Sequence, residues 1–243
     1  TDITQDTGVA LRVDVSDAGR VPAVPYLRMV VLDEYDPAGG FRLSAALRRT
    51  AFEPERMRTT LSGGRFNRPA TEPAVSWTFY LEAGVSRFLP LPGAFELARF
   101  HEPQPMQYSP ALQVLAMRRE PATMTAYRLE NPQLGNVVRD PAQALAAGRG
   151  LARTFFTGPA AEADRAKLRQ FAAEITGGRA DLAPAEFATQ ATAWLHARHR
   201  YALASRLPGG GGDPLVRWLD SHTPGHCEFF AGSFVLLARA AGH

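Results

Sequence analysis

The chain has one cysteine, Cys227, and one lysine, Lys167, among its 243 residues. A single thiol cannot close an intrachain disulfide, so a disulfide framework is excluded. With one lysine, arginine supplies nearly all the positive charge, and the formal net charge is only +3. No basic run with interleaved aromatics occurs, which argues against a nucleic-acid partner. No stretch reaches the roughly 18 apolar residues that would span a bilayer. His196 and His199 have no second His/Cys cluster to complete a ligand set, so no metal is expected. Gly209-Gly210-Gly211-Gly212 lacks the Lys-Ser/Thr of a phosphate loop and reads as a flexible loop; no cofactor is expected. The opening Thr1-Asp2-Ile3-Thr4-Gln5-Asp6 is polar and carries no leader pattern. The chain is therefore expected to be an excised, soluble piece.

An apolar fraction of 45% and a charged fraction of 21% suit a globular protein of one large or two modest domains. The first half alternates with period two. Val9, Leu11, Val13 and Val15 mark one strand, and strands are also expected over 26–32, 75–81, 113–117 and 123–129. Residues 88–92 hold two prolines and read as an edge or loop. Asp33-Glu34-Tyr35-Asp36-Pro37-Ala38-Gly39-Gly40-Phe41 has hairpin-turn chemistry rather than cation-ligand spacing. Residues 51–72 read as a loop or loose hairpin. Short strands punctuated by Pro and Gly predict an antiparallel, sandwich-like module over 1–135.

From about Asp140 the periodicity is helical, within a second module over 136–243. Helices are expected over 141–155 and 162–175, the second stopped by Gly177-Gly178. Pro184 opens another, at a position where its missing N–H costs nothing. The last starts near Cys227 and buries Phe230, Phe234 and Leu237. The fold class is thus α+β, a β-rich module followed by a helical one.

Pro224-Gly225-His226-Cys227-Glu228 feeds the thiol into the start of that last helix. There it faces unpaired backbone N–H groups and the positive end of the helix dipole, both of which favour thiolate, the nucleophilic form. A buried structural cysteine is the competing reading. His226 adjoins Cys227 but projects about 100° away around a helix, which makes it a poor base. Glu228 suits the helix start electrostatically. His222 lies in the preceding loop, and His101 is isolated.

The context of the cysteine extends further. Leu168 and Ile175-Thr176-Gly177-Gly178 precede Ala191-Thr192-Ala193-Trp194-Leu195 and Arg200-Tyr201. Asp213-Pro214-Leu215 follows, then Gly225-His226-Cys227-Glu228-Phe229-Phe230-Ala231 and Leu236-Leu237-Ala238-Arg239-Ala240-Ala241-Gly242. This pattern resembles the bacterial transglutaminase-like superfamily, a branch of the papain-like cysteine enzymes. Together with Tyr26-Leu27-Arg28 and Leu32-Asp33-Glu34-Tyr35-Asp36, it is similar to the periplasmic region of TgpA-type membrane-anchored proteins.

The resemblance implies that 136–243 is the helical front of a transglutaminase-like domain. It implies an acyl-transferring enzyme with Cys227 as catalytic nucleophile, a Cys227 backbone N–H in the oxyanion hole, and a protein or peptide amide as substrate. His226 and Trp194 are the candidate substrate-binding residues, although core packing beneath the cysteine helix is the alternative for Trp194. The resemblance also implies a periplasmic or extracytoplasmic location, with any membrane anchor outside these residues. In the family the histidine and aspartate follow the cysteine by several tens of residues. A chain ending at His243 is therefore expected to be inactive by itself. The alternatives are a peptidase or amidase of the same fold, or a non-catalytic cell-envelope protein whose β module does the binding.

Overall fold

The computed structural model describes residues 8–64, 74–134 and 161–243. The chain forms two compact units. One comprises 6–32 and 43–151; the other comprises 1–5, 33–42 and 152–243. The hairpin around residue 36 thus belongs with the helices, although it lies inside the segment that the sequence assigns to the β module. The helix expected over 141–155 falls outside the described residues.

Among the described residues the β unit forms one seven-stranded antiparallel sheet, where the sequence suggests a sandwich-like module. Its strands are β1 (Leu11–Val15), β4 (Arg56–Ser62), β5 (Ser76–Leu81), β6 (Phe88–Leu89), β7 (Leu97–Ser109), β8 (Val114–Met117) and β9 (Thr125–Glu130). β7 is the pivot. Its first half pairs with β9, its second half with β8, and β4 runs along its other edge. Between the β4 pairs Arg58–Gln104 and Thr60–Arg99 the register slips, a bulge that bends the long strand. The curled sheet encloses Phe79, Phe95, Met106, Leu115, Tyr127 and their neighbours. β5 shows the period-two logic directly: Trp77, Phe79 and Leu81 point inward, with Ser76, Thr78 and Tyr80 between them. Phe79 lies opposite Tyr127 in the ladder, and their rings stack at 4.9 Å.

Two expectations for this unit differ from the structure. Residues 26–32 form no strand. Pro22 and Pro25 precede them, and only Arg28 pairs, in an isolated bridge to Leu91. Residues 56–62 do form a strand, although only Leu61 in it is buried, which is why an edge strand rich in Arg and Thr shows no apolar alternation. A short helix, α1 (Ala45–Ala51), capped by Ser44, was also not foreseen.

The helical unit holds α2 (Ala161–Thr176), α3 (Pro184–Arg198), α4 (Pro214–Ser221) and α5 (Cys227–Ala240). Gly177 and Gly178 end α2 with φ of 61° and 79°, the left-handed conformations that favour glycine. Pro184 occupies the start of α3. Leu168, Phe171, Phe187, Leu195, Leu219, Leu236 and Leu237 fill the space between the helices. The hairpin β2 (Glu34–Asp36) and β3 (Gly40–Arg42) adds Tyr35 and Phe41 to that core. Gly232 lets the hairpin approach α5, since a Cβ there would meet Phe41 and Leu215 at about 3 Å. Arg239 of α5 donates to the Asp33 carbonyl at 2.8 Å. The Asp36 carboxylate closes the hairpin turn by accepting from Ala38 and Gly39 N–H, as its sequence predicts.

Candidate active site

The site is the turn between α4 and α5. α4 starts at Asp213-Pro214, a cap followed by a residue that needs no N–H. Asp213 Oδ1 accepts from Leu215 and Val216 N–H at 2.8 and 2.9 Å. Its Oδ2 accepts from the Tyr35 hydroxyl at 2.7 Å, and its own N–H donates to Asp164. Asp213 is 1% exposed. Burial pushes its carboxyl above the usual carboxylate range, and the Val216, Tyr35 and Leu215 bonds pull it back. Burial, and then the neighbouring Asp213, push the Tyr35 phenol up. This network fixes the start of α4 and ties the hairpin to it. Arg217 holds the glycine loop in front of α4 by donating to the carbonyls of Pro208, Gly211 and Gly212.

α4 ends at His222, a non-glycine residue with φ of 54° that turns the chain back toward α3. Three residues later Gly225 pairs with the end of α3. Its N–H donates to the Arg200 carbonyl, and its carbonyl accepts from Ala202, both at 2.9 Å. Gly225 packs directly against Trp218. A Cβ there would lie 2.5 Å from the indole Cζ2. Trp218 is fully buried and donates from Nε1 to the Pro224 carbonyl at 3.3 Å. His199, also buried, stacks on Trp218 with ring centroids 3.9 Å apart. Its Nδ1 bonds the Thr223 carbonyl at 3.0 Å; a carbonyl only accepts, so Nδ1 carries the proton. Among the described residues Nε2 has no hydrogen-bond partner, although the nearby Leu219 carbonyl favours the protonated ring. Burial dominates and pushes the imidazole below the usual histidine range.

Cys227 is the first residue of α5 and is exposed. Its backbone N–H lies in the first turn, where no intrahelical acceptor exists. His226 is the N-cap, and its Nδ1 accepts from the Glu228 N–H at 3.3 Å. That bond places the proton of the neutral ring on Nε2 and commits Nδ1 to the helix start. Glu228, exposed in the first turn, favours the same end of the dipole. One turn on, Phe230 carries His196 at 5.4 Å and Tyr201 at 6.5 Å between ring centroids. An accessible thiol, a free N–H and an aromatic flank can together receive an acyl group beside an apolar side chain.

The structure sets His226 as the cap beside Cys227 and packs Trp194 against the helical core. Trp194 is half-buried against Phe171 of α2, with the Arg198 guanidinium 4.4 Å over its ring. The indole beneath the cysteine turn is that of Trp218, on α4, an element not expected from the sequence. The signal was present in Asp213-Pro214, a cap-and-start pair. His199 and Tyr35 had no local signal at all. Among the described residues no group of three His, Cys, Asp or Glu side chains is arranged to hold a metal. No helix among them is long and apolar enough to cross a membrane.

Comparison with known proteins gives the following. Residues 1–130 match the family model of the TgpA N-terminal domain, and residues 169–243 match that of the transglutaminase-like superfamily. Two solved structures are similar over 98% of this chain. The crystal structure of the periplasmic domain of TgpA from Pseudomonas aeruginosa has a TM-score of 0.63, 16% identity and 72% of its own length covered. The same periplasmic domain bound to ethylmercury has a TM-score of 0.61, 15% identity and 74% covered. No curated protein matches.

Proposed function

We propose, for a chain that belongs to the TgpA N-terminal domain family and continues into a transglutaminase-like segment, that Cys227 is the nucleophile of a cysteine acyltransferase on protein or peptide amides. The observation that carries this reading is the exposed thiol at the first position of α5, behind a capped and clamped turn. The sulfur attacks the amide carbon and the oxyanion forms beside the Cys227 N–H. The C–N bond then breaks, the nitrogen takes the proton that the thiol gave up and leaves as ammonia or an amine, and a thioester remains. An amine or water attacks the thioester, the acyl group leaves as a new amide or a carboxylic acid, and the attacking group's proton returns to the sulfur. His226 lines the approach with its Nε2–H side. The likeness to periplasmic domains supports a place on the extracytoplasmic side of a bacterial membrane. Ethylmercury, bound in one structural neighbour, is a thiol reagent, and Cys227 is the one thiol in this chain that it can take.

A non-catalytic, cell-envelope binding role is the second reading. It is supported by the histidines around the turn. Among the described residues, His226, His199 and His222 each have a ring nitrogen engaged in a bond to the backbone or to Arg198. The test is incorporation of a fluorescent primary amine into a glutamine-bearing protein by the full-length protein. Transfer that is lost in Cys227→Ser supports the acyltransferase. Ammonia or peptide release without amine incorporation points to the amidase or peptidase form. Neither reaction from a folded protein refutes catalysis.

A further inference from the structure

His199 is 2% exposed, and no step of the proposed chemistry uses it. As a space-filler it would be a poor choice. A buried polar atom without a good partner is costly, and among the described residues Nε2 has only the nearby Leu219 carbonyl. The ring bears that cost while its other nitrogen serves the Thr223 carbonyl. The next carbonyl along the chain, at Pro224, accepts from Trp218 Nε1. The next, at Gly225, accepts from Ala202. Three consecutive carbonyls immediately before the His226 cap are therefore each held by a group from outside the turn. The two side-chain donors are also stacked on each other, so neither ring can swing without disturbing the other.

We infer that His199 and Trp218 are positioning residues for Cys227. Their hydrogen bonds to the Thr223 and Pro224 carbonyls hold the turn that sets the thiol at the first position of α5. The inference rests on Cys227 being the reacting group, and it deepens that reading.

His199→Phe keeps an aromatic face for Trp218 and removes the donor. His199→Asn supplies an amide donor near the place of Nδ1 and removes the stack. Trp218→Phe removes the other donor and keeps a ring. The readouts are the alkylation rate of Cys227 by iodoacetamide, amide hydrogen exchange over residues 223–230, and the thermal midpoint. His199→Phe and Trp218→Phe are each expected to slow alkylation about three- to tenfold, the range that one net hydrogen bond covers. Each should also speed exchange of the Gly225 amide. His199→Asn should recover part of the alkylation rate despite a lower thermal midpoint. A core-filling role gives the opposite order, with His199→Phe like wild type and His199→Asn worst; that result overturns the inference. If wild-type Cys227 alkylates no faster than a cysteine in an unfolded peptide, the nucleophile reading fails by itself. The exchange at Gly225 then decides whether the rings hold the turn.

Discussion

Replacing Gly225 by alanine would build a methyl group into the indole of Trp218. The new Cβ would lie 2.5 Å from Cζ2, 2.8 Å from Cε2 and 3.0 Å from Nε1. Ordinary carbon contacts are about 3.5–4.0 Å, so the ring would have to move by about 1 Å. It has nowhere to go. Trp218 is fully buried, His199 covers one face, and Phe229 and Phe230 meet it edge-on at 5.8 and 5.2 Å. Moving the ring also strains its bond to the Pro224 carbonyl. Overpacking costs about 1–3 kcal/mol and the weakened bond about 1, for a total of roughly 2–4 kcal/mol. The φ of Gly225 is not in the left-handed range, so the cost is steric rather than conformational. Gly211 is the control, because its Cβ would meet nothing within 4 Å and its φ is also permitted. Urea denaturation followed by tryptophan fluorescence measures both. With a slope near 2 kcal/mol/M, Gly225→Ala should lower the midpoint by about 1–2 M. Gly211→Ala should leave it within about 0.25 M, or raise it slightly by restricting the unfolded chain. A Gly225→Ala midpoint equal to that of Gly211→Ala would refute the close packing of turn and indole.

Tyr35→Phe removes the hydroxyl that donates to Asp213 Oδ2 in a buried site and is expected to cost about 1–3 kcal/mol, read as a lower urea midpoint. A change under about 0.5 kcal/mol would mean that water replaces the bond. His199 predicts a pH dependence of stability. Burial, with His222 and Arg198 nearby, holds its folded-state pKa below that of the unfolded chain, while the Thr223 and Leu219 carbonyls oppose the shift and Glu174 pairs with Arg198. As pH falls through about 6.5 the unfolded chain takes up the proton first, so stability is whole above that pH and is lost below it. The thermal midpoint of the wild type should therefore fall more steeply from about pH 7 to 5 than that of His199→Phe, and equal slopes would sink the assignment.

Elements whose signals are local were legible in the sequence. β5 announces itself because Trp77, Phe79 and Leu81 alternate with polar or half-buried neighbours, and α2 because an apolar face runs into Gly177-Gly178. Segments 26–32 and 56–62 reversed their appearance for one reason. Strand formation needs a partner edge, and neither apolar content nor its lack says where that edge lies. Residues 26–32 are apolar and find only one bridge, whereas Arg56–Ser62 are mostly polar and pair along β7 from Met106 to Leu97. The sheet arrangement is a matter of pairing too: the described strands join one sheet, and the register slip between β4 and β7 has no local mark in the sequence.

The cysteine turn divides along the same line. Pro-Gly before Cys227 and apolar residues after it are neighbours in sequence, so the helix start could be read directly, whereas the choice between a buried and an exposed thiol rests on the fold, which exposes it. What holds the turn could not. His199 reaches Thr223 across 24 residues, and Tyr35 reaches Asp213 across 178. Trp194 and Trp218 look equivalent on a helical stripe. Only the packing decides that the first lies between Phe171 and Arg198 and the second against Gly225. Gly225 is the residue where the two kinds of information meet. In sequence it is a turn former, but its φ asks for nothing special, and the glycine is required by an indole seven residues earlier. The geometry of the thiol thus depends on a contact that its own local motif does not encode. Substitutions at Trp218 or His199 should accordingly change Cys227 reactivity while leaving the Gly-His-Cys-Glu sequence untouched.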